Sequence, residues 1–223
     1  MVMAKLEICA SSIESALNAQ NGGADRVELC SELSVGGITP SKGMIQMAKE
    51  LLDIPLYVLI RPRSGDFHYS IMELEVMKED IAFCVEIGCH GVVFGALTQD
   101  RRIDQSKTTQ LMQAAQFMDV TFHKAFDAVQ NQFEALDTLK DLGVQRILTS
   151  GGAKSAAMGI DTLGELMDEA DEEIIIMPGG GIRPDNIDML KGIGALEYHS
   201  SAMLSDGKHS DLNMIMELRK ALI

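Results

Sequence analysis

Short β-rich runs recur along the chain: LEIC, RVELC, LYVLIRP, GVVFGA, DVTFHKAF, QRILTS, EIIIMPGG and ALEYHS. Each has the length and composition of a buried strand. Between them lie longer segments whose apolar residues return at helical spacing. Residues 12–21 open on a capping serine, Ser12, and residues 41–52 follow the turn signal Thr39-Pro40. Residues 71–87 set Ile71, Leu74, Met77, Ile81, Cys84 and Val85 on one face, and helices of similar character continue to residues 212–222. A glycine stands shortly before four of the strands, in GGADRVEL, IGCHGVVF, LGVQRILT and GIGALEYH, as expected of helix C-caps turning into a sheet. Eight strand–helix units averaging about 28 residues, with no linker or low-complexity tract, predict an α/β protein of the (β/α)8 TIM-barrel type, a single domain over residues 1–223.

Side chains alternate along a strand, so the same runs predict what faces the barrel interior. In the first strand Leu6 and Ile8 turn outward to the helices, and Glu7 and Cys9 turn inward. The second repeats this with Val27 and Leu29 outward, Glu28 and Cys30 inward. The third places Val58 and Ile60 outward, Arg61 inward and Arg63 just beyond. The fifth sends Thr121 and His123 inward beneath outward Val120 and Phe122, and the eighth sends Glu197 and His199 inward beside outward Leu196 and Tyr198. A barrel interior is normally a packed aliphatic core, and an unpaired buried carboxylate costs several kcal/mol. Taken singly, each polar group fits a self-satisfied plug in which Glu7, Glu28 and Glu197 are neutralised by Arg61, Arg63 and the two histidines. Taken together they indicate a site, because they lie where strands lead into βα loops, the face on which barrel enzymes place their chemistry.

The loops extend that set. In RPRSGDFHYS, Arg61 and Arg63 straddle a proline and Asp66 follows a glycine, an arrangement suited to clamping a carboxylate or phosphate. TSGGAKS, PGGGIRPDN and HSSAM follow strands six, seven and eight. Their Gly151, Gly152, Gly179, Gly180, Gly181, Ser200 and Ser201 are candidates for an anion cradle, although three successive glycines also simply make a tight turn. His68, His90 and His209 read as surface residues, Cys84 as a small hydrophobe on a helix and Cys89 as structural, at the opposite end of the barrel. The fifteen methionines are scattered over helical core positions, which suits gap-filling.

Composition narrows the partners. Nineteen basic and thirty-three acidic side chains give a formal net charge of −14, which repels nucleic acid, and no run approaches the ~20 apolar residues of a membrane span. The opening MVMAKLEI lacks the basic flank and long apolar stretch of an export signal. Four cysteines with no CxxC spacing suit free thiols in a reducing cytoplasm.

The motifs LEICASS, GGADRVELCS, GGITPS, IRPRSGDFHYS, TFHKAFD, RILTSGG, MPGGGI and EYHSSA, in this order and nearly end to end, closely resemble those of the CutC family, proteins named for copper homeostasis. The resemblance implies a (β/α)8 barrel, a cytoplasmic location, a homo-oligomer and a copper(I)-binding role with thiols Cys9 and Cys30 as the candidate ligands. Lys124 stands where arginine is commoner in the family; pointing away from His123 and keeping the charge, it is expected to have little consequence. A thiol sometimes seen in the family near Ser200 is absent.

Copper(I) is a soft ion suited to thiolates, whereas carboxylates are hard ligands and guanidinium groups are not ligands at all. Glu7, Glu28, Arg61, Arg63, Asp66, His123, Asp127 and His199 therefore also form a candidate catalytic set for a small phosphorylated or carboxylated metabolite. Arginines would hold its charge, and acids and imidazoles would move protons in lyase- or isomerase-like chemistry. Three functions stay open on the sequence: a copper(I)-handling protein, an enzyme on a small anion, and a non-catalytic scaffold.

Overall fold

A computed structural model describes residues 3–204 and 207–223; Met1 and Val2, the start of the stretch read for an export signal, lie outside the described residues. Strands β1 (Lys5–Ala10), β2 (Arg26–Leu29), β3 (Leu56–Leu59), β4 (Gly91–Phe94), β5 (Asp119–Phe122), β6 (Arg146–Thr149), β7 (Ile175–Pro178) and β8 (Glu197–Ser200) coincide with the eight predicted runs. They alternate with helices α1 (Ile13–Asn21), α2 (Lys42–Leu51), α3 (Ile71–Glu86), α4 (Gln105–Ala115), α5 (Gln132–Asp141), α6 (Ile160–Ala170), α7 (Ile187–Lys191) and α8 (Leu212–Ala221). The strands pair in parallel in the order β7-β6-β5-β4-β3-β2-β1-β8, and a parallel bridge between Gly179 and His199 brings β7 against β8. This is the (β/α)8 TIM barrel.

Local chemistry explains the boundaries. The side chains of Ser12, Ser41 and Ser70 accept the first free N–H groups of α1, α2 and α3, and Ser70 forms a reciprocal capping box with Glu73. Gly23, Gly88, Gly143 and Gly194, the glycines of the four expected C-cap motifs, all have positive φ, between 74° and 86°. On α3, Leu74, Met77, Ile81 and Cys84 are buried as the periodicity predicts. Ile71 differs: at the first helical position it is 76% exposed, because the helix reaches the sheet only one turn later.

The barrel separates two cores. Leu6, Ile8, Val27, Leu29, Val58, Ile60, Val120, Phe122 and Tyr198 all face outward into the layer packed against the helices. Leu196 is the exception, half exposed just before β8 begins. A smaller inner cluster holds Cys9, Cys30, Tyr57, Leu59 and Val93. Among the described residues no helix is long and apolar enough to cross a membrane.

Candidate functional site

The amino-terminal half of the interior is filled by ions. Arg26, inward on β2, donates through Nε to Glu7 and through Nη2 to Glu197 Oε2 at 2.6 Å. Arg146, inward on β6, reaches the same Glu197 oxygen at 2.8 Å, and both guanidinium groups pack on the Tyr57 ring, 4.6 and 5.4 Å from its centre. The plug expected from the sequence therefore exists, with His199 on Glu7 as expected, but its guanidinium groups are those of Arg26 and Arg146. Arg61 and Arg63 lie beyond the end of β3 and bond to loop groups and to Glu73 at the start of α3 instead. Burial alone would raise the carboxyls of Glu7 and Glu197; the adjacent cations more than offset it, and both are held below the ordinary carboxylate range.

Above the plug, His199 Nδ1 hydrogen-bonds Glu7 Oε1 at 2.7 Å. It also lies 3.5 Å from Glu28 Oε2, but its N–H is directed at Glu7, and Glu28 Oε2 stays buried without a hydrogen-bond partner. Burial pushes the Glu28 carboxyl up to about 8, with Glu7 and Cys30 adding to the rise and His199 and Arg26 opposing it. For His199 burial works against the charged form, but the Glu7 hydrogen bond and the Glu28 and Glu7 charges raise its pKa above the ordinary value. The layer thus sets a Glu7 carboxylate against a His199 whose protonated form is favoured, beside a Glu28 that burial keeps protonated to about 8.

Cys9 and Cys30, from adjacent strands, bring their Sγ atoms to 3.5 Å. Their mutual hydrogen bond, burial, and the charges of Cys30, Glu28 and Glu7 push the Cys9 thiol well above its usual value. Cys9, Glu28 and His199 each place one donor atom within 4.8 Å of the others. Gly37 (φ +86°) closes over Cys30: a Cβ there would lie 2.6 Å from Leu59 Cδ2 and 3.5 Å from Cys30 Cβ. Only glycine lets this turn seal the thiol so tightly.

The layer opens into a cavity of about 430 Å³ at the carboxyl ends of the strands, lined by Cys9, Glu28, Arg61, His123, Gly180, Gly181, His199, Ser200 and Ser201 of the predicted set. Other predicted residues lie elsewhere. Arg63 is held by Glu73 at 2.5 Å and Asp66 at 3.0 Å, organising its own loop, so it does not share a clamp with Arg61. Arg61 itself donates to the carbonyls of Val35, Gly37 and Gly65. Asp127 fills the loop after β6: its carboxylate accepts from Ser150 N at 3.1 Å, Gly152 N at 3.0 Å and the Ser150 hydroxyl at 3.0 Å. The N–H groups around Gly151 and Gly152 thus already hold an anion, the protein's own. Asp127→Ala should cost about 2–3 kcal/mol in urea unfolding, because these donors lose a charged acceptor. Gly179 packs against His199, and Ser200 Oγ donates to Ile182 O.

Lys124 corrects an expectation. Its ammonium does not point away but lines the cavity mouth, 2.7 Å from Ser150 Oγ and 2.9 Å from Asp127, and a Cβ at Gly180 would meet it at 3.0 Å. The reason is that β5 ends at Phe122 and Lys124 starts a 3₁₀ turn, Lys124–Ala128, in which strand alternation no longer holds. The surface histidines also have partners: His68 with Leu97 O, His90 with Leu56 N, His209 with Ser12 Oγ.

A model of the CutC family matches residues 4–204. The human copper homeostasis protein cutC homolog is 50% identical over 198 residues, 88% of this chain and 72% of that protein. A CutC family protein of Xanthomonas campestris pv. campestris (strain 8004) is 48% identical, over 88% of this chain and 82% of its own. The chain belongs to the CutC family. Its barrel superposes on the crystal structure of CutC from Streptococcus agalactiae with a TM-score of 0.85 at 35% identity, covering 89% of this chain and 99% of that one.

Arg26 and Arg146 in the CutC interior were not singled out by the sequence reading. Each was legible by the period of two: Arg26 is in phase with Glu28 and Cys30, and Arg146 with Leu148.

Proposed function

We propose that this chain is a copper homeostasis protein that holds copper(I) between the thiolates of Cys9 and Cys30, in a reducing cytoplasm and as a homo-oligomer. The observation that carries the reading is the 3.5 Å approach of the two sulfurs, Cys9 at the wall of the cavity and Cys30 buried behind it. The donor set fits a soft ion: two sulfurs with the His199 imidazole nearby, whereas Glu28 is a hard ligand and contributes least. All four cysteines are free, which agrees with a compartment that keeps thiols reduced. The curated relatives' names, copper homeostasis protein, point the same way.

The test is an anaerobic copper(I) titration against a competing chelator on the parent and on Cys9→Ser/Cys30→Ser. One tight site lost in the double variant is expected; binding of equal strength in the variant would overturn the assignment. Because the Cys9 thiol is raised, binding must displace protons. Affinity should therefore rise with pH, by about tenfold per unit for each proton released. A pH-independent affinity would mean ligands other than these thiols. Sedimentation of the full chain tests the oligomer.

A further inference from the structure

Copper leaves part of the cavity wall unexplained. Three residues lining it keep a buried polar atom with no hydrogen-bond partner: Glu28 Oε2, Arg61 Nε and His123 Nε2. Two of these are N–H donors. Arg61 Nε always carries a hydrogen. His123 Nδ1 accepts from Ala125 N at 3.2 Å, which places the imidazole proton on Nε2. The His123 ring is 5% exposed and packs against Phe67, 4.9 Å between centroids, while Arg61 stacks on the same Phe67 at 4.9 Å. A buried N–H without an acceptor is costly, and a cation cannot satisfy it. These donors call for an oxygen acceptor with negative charge.

The charge at the mouth agrees. In a chain of formal net charge −14, the cavity is lined by two cations, Arg61 and Lys124, and one carboxyl, Glu28, which burial keeps protonated to about 8, while Glu7 is not in the lining and pairs with His199. A phosphate dianion fits poorly, because the backbone N–H groups of Ser150 and Gly152 are occupied by Asp127, which also takes part of the Lys124 charge. Leu33, Leu59, Phe67 and Leu148 supply apolar wall for a carbon body.

We infer that this cavity binds a small organic carboxylate, its oxyanion received by the N–H groups of His123 and Arg61 and drawn in by the Lys124 ammonium. Binding requires the Arg61–Phe67–His123 stack to part by a small movement, since both donor nitrogens are covered. The site is independent of the copper reading, because neither nitrogen donor is a sulfur ligand or in the thiol pair.

The experiment uses the full chain free of copper, titrated in separate arms with pyruvate, succinate, 2-oxoglutarate and inorganic phosphate. Binding is read by thermal shift and by the ¹⁵N-resolved resonance of the His123 Nε2–H. At least one carboxylate should saturate and move that resonance, and phosphate should bind about tenfold or more weakly. Lys124→Met, at a site 41% exposed and therefore tolerant, should weaken the carboxylate about tenfold. His123→Gln should abolish the resonance and weaken binding similarly. Cys9→Ser/Cys30→Ser should lose copper and keep the carboxylate, so each reading can fail alone. No saturable carboxylate in any arm, or binding unchanged by both Lys124→Met and His123→Gln, overturns the inference; phosphate binding more tightly than every carboxylate does so too.

Discussion

Above pH 6.5 and up to about 8, the copper-free protein is expected to lose stability as pH rises, by about 1.4 kcal/mol per pH unit for each proton that folding takes up. Glu28 is the main source. An unfolded glutamate is ionised above 4.5, whereas burial keeps folded Glu28 protonated to about 8, so folding binds a proton throughout this range. His199 adds to the slope: with a folded pKa raised above 6.5, its contribution is complete below 6.5 and fades as pH climbs through the folded value. Acid acts through other groups. Burial and the neighbouring Arg61 hold His123 down to about 3, so its contribution is lost as pH falls from 6.5 toward 3, and that of Glu7 is lost below 4.5. Between 4.5 and 6.5 the Glu28 and His123 slopes oppose each other, which predicts a plateau there with a decline on either side. Glu28→Gln keeps the shape and removes the proton. It should flatten the alkaline side and raise stability at pH 8 by on the order of 2–4 kcal/mol relative to the parent. Urea unfolding across this pH range checks it, and parallel curves for parent and variant would assign the slope elsewhere.

The interior groups behind that prediction were legible because a strand carries its own geometry. Once the second strand is recognised, Glu28 and Cys30 must share a face, and the same rule puts His199 beside Glu7 through the register of β8 with β1. The rule fails where strands stop. Arg63, Asp66, Asp127 and Lys124 all follow strand ends, and their directions are set by non-local partners: Glu73 for Arg63, the β6 loop for Asp127 and Lys124. No local pattern announces that a loop's N–H groups will be taken by an aspartate more than twenty residues earlier. The glycines of that loop looked like an external anion's cradle because an internal carboxylate needs the same backbone. Arg26 and Arg146 are a different kind of omission. Both sit at the first position of their strands, where an arginine is easily read as a solvated end although the period of two puts it on the interior face.

Arg26 is accordingly the residue whose loss should cost the fold most. It is 4% exposed, pairs with Glu7 and Glu197, contacts Met177 Sδ at 3.3 Å and stacks on Tyr57. Arg26→Met retains much of the packing volume but removes the guanidinium that bridges the two buried carboxylates, Glu7 and Glu197. Breaking a buried pair from one side typically costs about 3–5 kcal/mol, because the remaining charge has no water to turn to. Arg146 still serves Glu197 at 2.8 Å and His199 still serves Glu7 at 2.7 Å, so the loss should fall toward the lower end of that range. Arg26→Met/Glu7→Gln removes the stranded charge with its partner and should regain part of the stability. The paired measurement also reports on the site above. With Arg26 gone, Glu7 keeps only His199, so the His199 titration followed by NMR should move in Arg26→Met, and in the double variant it should fall for want of the Glu7 carboxylate. A cost below about 1 kcal/mol together with an unmoved His199 titration would mean that the plug and the thiol–imidazole layer are energetically separate.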